Sequence, residues 1–247
     1  MSAIAMLEFK KKIQDKGLWF WTFILPIVFI VGFITIFGGN TGADPEQLVV
    51  QIVPGYTVMF SFYIMISMVI VFIKDRDSGM TARIASTPLP RLQYFMGKWI
   101  PFILIVLIQI AVLFGFGVAV YEMPLGNALA LIVISIALAF VSTGCGMAMA
   151  VLAKTENMGI ALTQVIALGG AMLGGLWMPV EFMPEVMQNI ATFLPHYWAL
   201  QGYQTVILDG GNLLDIWESL IILLGYAAVF IGIALFSYPR YLKLSKS

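Results

Sequence analysis

Apolar residues dominate this chain in six long blocks separated by short polar segments. The blocks cover residues 18–37, 52–73, 100–121, 128–152, 159–178 and 216–238, each of twenty residues or more. At about 1.5 Å per residue, a helix of about twenty residues matches a hydrocarbon core about 30 Å thick. Within the blocks the apolar residues are continuous rather than alternating, which predicts helices and argues against a β-barrel. The pattern predicts an all-α polytopic membrane protein, a single transmembrane domain over residues 1–247 with six spans. Pro26 lies inside the first block and is expected to kink it.

The segments outside the blocks have their own periodicities. In residues 1–17, Met6, Phe9 and Ile13 recur at helical spacing, while Glu8, Lys11 and Asp15 point the other way. This reads as an interfacial helix, or more plainly as the positive flank of the first span. Between the second and third blocks, Lys74 to Trp99 forms a polar island with Lys74, Arg76, Arg83, Arg91 and Lys98, and with Asp75 and Asp77 at its start. Ser78 to Ala85 could form about two helical turns before Pro88 stops them. A short helix carrying Arg83 between two spans suits docking of a soluble partner, although a cytosolic loop is often basic.

The segment 174–215, between blocks five and six, is too broken to span and too apolar to be a free loop. Gly174, Gly175, Pro179, Pro184 and Pro195 interrupt it, an amphipathic stretch covers Val186 to Phe193, and a semi-apolar run reaches Leu208. It reads as two short helices re-entering the outer leaflet, with Trp177, Tyr197 and Trp198 at the interface.

Charge then sets the orientation. With six spans, the segments 1–17, 74–99, 153–158 and 239–247 share one side, and they hold four, five, one and three basic residues, all thirteen in the chain. The other side carries only carboxylates, among them Asp44, Glu46, Glu122, Glu181, Glu185, Asp209 and Asp215. The positive-inside rule places both termini in the cytoplasm of a cell-membrane protein. The composition, 61% hydrophobic and 11% charged, exceeds the apolar surface that a soluble domain of this length could bury. Zero net charge points to no nucleic-acid partner.

The span interiors carry no charged residue. Ion-coupled transporters place ionisable groups there, so energy for uphill transport is expected to enter from outside the spans. Gln109, Thr163 and Gln164 are candidates for the translocation path, with interhelical hydrogen bonding the commoner use of such residues. Gly170 and Gly174 form a small-xxx-small pair that serves close packing within the subunit or a dimer interface. Cys145, the single cysteine, reads as a small packing residue. His196, the single histidine, reads as an interface residue beside Tyr197 and Trp198, with no sequence neighbours to complete a metal site. No phosphate-cradling G-x-x-x-x-G-K-[ST], no G-x-S-x-G and no H-E-x-x-H occurs.

The order Arg76-Asp77-Ser78-Gly79, then Met80 to Ser86, then Thr87-Pro88 and a basic, aromatic return through Arg91 to Lys98 resembles the loop between spans two and three in membrane subunits of type-2 ATP-binding-cassette exporters. That family usually has glutamate in the first cluster, where this chain has Asp77, and threonine after the glycine, where this chain has Met80. The order Gly175, Pro179, Met183, Pro184, Leu194 and Pro195 resembles the family's exit from its fifth span. The resemblance covers nearly the whole chain. It implies a permease domain, with Asp77, Gly79, Arg83, Thr87 and Pro88 in the element that receives motion from an ATPase. It implies a separate ATPase subunit that binds ATP and Mg, no cofactor on this chain, and a second membrane subunit, identical or not. The expected function is export of a lipophilic drug, antibiotic or lipid in a bacterial or archaeal cell. A transporter or channel of another family is the alternative, and an intramembrane enzyme the weakest reading.

Overall fold

The computed structural model describes residues 16–38, 45–87 and 90–244, together with Met6, Phe9, Lys10 and Gln14. Those four are helical, but most of the expected interfacial helix lies outside the described residues. The first long element, α1 (Lys16–Gly38), is helical throughout. Next come α2 (Pro45–Asp77), the short α3 (Met80–Ala85), α4 (Arg91–Tyr121), α5 (Ala128–Leu152) and α6 (Glu156–Leu173). A single 3₁₀ turn at Val180–Phe182 leads to α7 (Glu185–Ala191), α8 (Pro195–Leu208) and α9 (Trp217–Leu244). No strand occurs among the described residues.

Five of these helices, α1, α2, α4, α5 and α9, are long and apolar enough to cross a membrane. The fifth apolar block behaves differently. Its helix starts earlier, at Glu156, and stops at Leu173, five residues short of the expected end. The polar start Glu156-Asn157 lowers its mean hydropathy. Gly174 and Gly175 end it, the latter at φ 80°, a left-handed conformation that glycine reaches without a Cβ penalty. The other blocks gain turns instead. Helix α2 has 33 residues against the 22 of its apolar block, because Glu46 near its start and Lys74 and Arg76 in its last turns suit the helix dipole.

Helix α2 is the central element. It packs on α1, α4, α5, α6 and α8, and α9 closes over α5. The glycines of α5 make this closeness possible. Gly146 meets Met68 Sδ of α2, and on another face Gly144 meets Ile231 of α9. Any side chain at Gly146 would collide with α2, so both glycines serve packing within this subunit. Cys145 is buried between them.

In α1 a π-helical turn, Phe20–Ile24, precedes Pro26. Proline has no N–H to offer the carbonyl four residues back, which belongs to Thr22. Gln109 of α4 donates its Nε2 to that carbonyl at 3.0 Å. The expected disturbance at Pro26 is therefore a π turn whose freed acceptor is used between helices.

Helices α7 and α8 fold back against the bundle. His196, at the start of α8, stacks on Phe62 of α2 with ring centroids 3.8 Å apart. Eight residues on, Gln204 donates to Gln51 Oε1 at 2.5 Å. From His196 to Gln204, α8 therefore climbs about the same distance along α2 that separates Phe62 from Gln51, roughly 12–16 Å by helix rise. Its start is deep against the middle of α2 and its end is near the carboxylate-rich face. Each turn of this segment opens on a proline, with Pro179, Pro184 and Pro195 standing just before or at the first helical residue, where a missing N–H costs nothing.

His196 corrects an expectation. It is 1% exposed, not an interface residue. Gly170 and Gly174 make the room, since a Cβ on either would run into His196. The small-xxx-small pair is thus used inside the subunit.

Candidate functional site

At the basic end of the bundle, α2 and α4 are joined through α3. The expected helix from Ser78 is shorter, starting at Met80, because Ser78 and Gly79 form a turn that closes α2. Gly79 has φ 72°, and a Cβ there would meet nothing within 4 Å. The glycine is needed for its backbone angle rather than for a close approach. Asp77 makes no cap for α3. It is the last residue of α2, is largely exposed, and accepts from Arg76 Nε at 2.9 Å. Arg83 is exposed on the outer face of α3. Thr87 is also exposed, and its Oγ1 donates to the Ile84 carbonyl at 2.7 Å, capping the end of the helix. Pro88 lies outside the described residues.

Three further interactions hold this loop, none of which involves a residue expected from the sequence to form the site. Thr81 is buried under α3, with its hydroxyl 3.3 Å from Tyr241 Oη of α9. Tyr241 donates to the Phe72 carbonyl of α2 at 2.6 Å, which uses its one proton, so Thr81 is the donor to Tyr241. Lys98 of α4, 1% exposed, forms an ion pair with Asp75 of α2 and lies 4.8 Å from the Phe72 ring centroid and 5.6 Å from that of Tyr94. Arg76 donates to the Ala153 and Lys154 carbonyls at 3.3 and 2.7 Å, satisfying acceptors left over at the end of α5. The short helix is thus tied to α9 through Thr81, while the end of α2 that leads into it is tied to α4 and to the end of α5. A lysine four residues after Tyr94, entering an apolar run, was the sequence signal for Lys98. Nothing in the sequence paired it with Asp75, 23 residues away.

Midway along the bundle, α1, α2, α4 and α6 enclose a cavity of about 450 Å³. Trp21, Phe60 and Tyr63 line it, with Lys74 at the basic end and Gln109 and Gln164 facing in. Gln109 serves the interhelical bond through Nε2, yet its Oε1 and that of Gln164 are buried without a hydrogen-bond partner. Thr163 does not join them. It is fully buried and donates to the Ile160 carbonyl of its own helix at 2.8 Å.

The proline-broken segment after α6 forms a third cluster toward the carboxylate-rich end. Gly175 presents its carbonyl to Gln51 Nε2 at 2.8 Å, and the Leu176 carbonyl lies where a Cβ on Gly55 would be. Met183 is buried, and its carbonyl accepts from Gln188 at 2.9 Å. Leu194 precedes α8 in an extended conformation and Pro195 opens it. Burial and the nearby Glu181 carboxylate raise the Tyr197 phenol pKa. Among the described residues no cluster of three metal-ligating side chains occurs.

A bundle of long apolar helices, a short helix anchored at one end and a largely apolar cavity between helices fit a membrane transport subunit. Residues 43–236 match the family described as ABC-2 family transporter protein, and the chain belongs to that family, as a permease subunit. It is 27% identical to the Putative transport permease YvfS of Bacillus subtilis (strain 168) over 236 residues, 92% of this chain and 91% of that protein. It is 26% identical to the Linearmycin resistance permease protein LnrN of the same organism over 175 residues, 71% of this chain but 46% of LnrN. The family and the apolar helices make it a multi-pass membrane protein.

Proposed function

We propose that this chain is the transmembrane subunit of an ATP-driven exporter, with ATP and Mg held by a separate ATPase that docks on α3. The observation that carries the reading is the anchoring of Met80–Ala85 through Thr81–Tyr241–Phe72, with Arg83 left exposed and the α2 end beside it held to α4 by Asp75–Lys98. An ATPase that closes on nucleotide must push on a rigid part, and Arg83 offers a charge-assisted contact to a carboxylate on it. In this reading α6 is a sixth, short span and α7 and α8 re-enter from the outer face. Both termini are cytoplasmic in a bacterial or archaeal cell membrane, and a second membrane subunit completes the path.

The substrate is a lipophilic molecule such as a drug, an antibiotic or a lipid. The cavity supports this, being mostly apolar with a few polar side chains, Gln109 and Gln164 among them, on its wall. LnrN is named for linearmycin resistance, which agrees with export of a small molecule.

Tagged subunit purified from its own cells should retain an ATP-binding-cassette ATPase, and the reconstituted pair should hydrolyse ATP faster when a transported substrate is added. A subunit that transports in vesicles with no ATPase present would sink the reading in favour of a transporter driven otherwise.

A further inference from the structure

A second cavity, of about 580 Å³, opens at the basic end between the last turns of α2, α5 and α9. Arg76, Lys154 and Arg240 line it, from three different elements, with Asp77 as the carboxylate and Ser237 as a neutral hydroxyl. Three cations face one carboxylate, and that carboxylate already accepts from Arg76. Lys154 and Arg240 are exposed and have no ion-pair partner among the described residues. The walls continue into apolar surface. Val151 and Leu152 line the cavity, Leu152 is 46% exposed, and Phe236, next to Ser237, is 92% exposed. A basic hollow bordered by exposed apolar side chains at the end of spanning helices has the two halves of an amphiphile site.

We propose that this cavity binds the phosphate headgroup of an anionic phospholipid of the inner leaflet, with its acyl chains along Leu152 and Phe236. The proposal rests on the orientation given above, which puts the basic end at the cytoplasmic headgroups. An acidic protein loop would use the cations but leave the apolar border exposed, which is why a lipid fits better. Arg76 binds the end of α5 and Asp77 at once, so the bound headgroup lies one side chain from the turn that starts α3.

The test titrates the purified subunit in a neutral detergent with short-chain phosphatidylglycerol, short-chain phosphatidylcholine or inorganic phosphate, counting bound molecules by native mass spectrometry. Phosphatidylglycerol should bind, and the other two should bind far more weakly. The double variant Lys154→Gln/Arg240→Gln should weaken phosphatidylglycerol about thirtyfold, a factor of about five for each basic side chain at a membrane surface. The control Lys16→Gln/Arg83→Gln removes the same charge elsewhere and should leave binding within about twofold. Equal loss in the two double variants, or equal binding of the two lipids, overturns the site. Phosphate binding as tightly as phosphatidylglycerol would make the occupant a free anion and overturn the lipid assignment. All positions are exposed, and unchanged thermal unfolding verifies that each variant is folded. The assay contains no ATPase, so failure of the exporter reading at co-purification leaves its outcome intact, and orientation is read separately by thiol labelling.

Discussion

Asp75 and Lys98 show how much one pair can decide. A lysine that is 1% exposed is costly to bury, and its carboxylate, two nearby rings and the helix ends around it offset that cost. Breaking one half takes the carboxylate away from a lysine that is 1% exposed. Asp75→Asn should therefore destabilise the subunit by about 3 kcal/mol, seen as a lower unfolding midpoint in detergent. The double variant Asp75→Leu/Lys98→Met should recover most of that loss. An Asp75→Asn protein with an unchanged midpoint would show that the pair is solvated and not a staple. Gly79 is a different case. Its φ of 72° with open space around it makes the cost of Gly79→Ala purely conformational, about 1–2 kcal/mol. Gly79→Asn should be milder, because asparagine tolerates the left-handed region, and comparing the two midpoints checks this.

Among the α-helices, α3 is the smallest, and it packs on α2 and α9. Six residues form no stable helix alone, so its shape depends on Gly79 at one end, Ser86 and Thr87 hydroxyls at the other, and Thr81 beneath. Ile84→Pro puts a proline past its first turn, where it removes a backbone bond at roughly 3 kcal/mol in a helix interior, while every long helix keeps its sequence. The variant should insert and fold but lose ATPase retention or substrate-stimulated hydrolysis. Arg83→Glu should do the same through charge, with no change in midpoint. Normal retention and transport in both variants would remove α3 from the coupling role. Thr81→Val, which cuts only the bond to Tyr241, should retain the ATPase but lower the stimulated rate.

For the whole molecule, the arrangement of charge decides the direction of insertion. Among the described residues, the lysines and arginines gather at one end and Glu122, Glu181, Asp209 and Asp215 at the other, which a positive-inside membrane orients one way. In a Cys145→Ser background, single cysteines at Leu125 and Gly210 should react with an impermeant thiol reagent added outside intact cells, and those at Ser78 and Thr155 should not. Leu125 is chosen over its neighbour because Gly126 sits against the Val206 carbonyl and admits no side chain. Reaction at Ser78 from outside would invert the topology, and a Gly210 cysteine that fails to react while Leu125 reacts would show that α6 is not a span.

Much of this protein follows from local pattern. Helical class, the positions of the apolar blocks and the segregation of charge depend on composition over about twenty residues, and such stretches read the same whatever they touch. The polar island and the proline-broken segment were equally visible, since Gly79, Pro179, Pro184 and Pro195 act through their own backbones. The partners of side chains were not visible. His196 looked like an interface residue because Tyr197 and Trp198 follow it, and only the return of α8 onto Phe62, past Gly170 and Gly174, buries it. Gln109 reads the same as glue or as cavity lining. It took the carbonyl of Thr22, freed by Pro26 in another helix, to assign one end of its amide to each. Asp75 with Lys98, and Thr81 with Tyr241, are separated by 23 and 160 residues. Hydrogen bonds and ion pairs depend on distances of a few ångströms, and for residues so far apart those distances are set by how the helices pack, which local sequence does not specify.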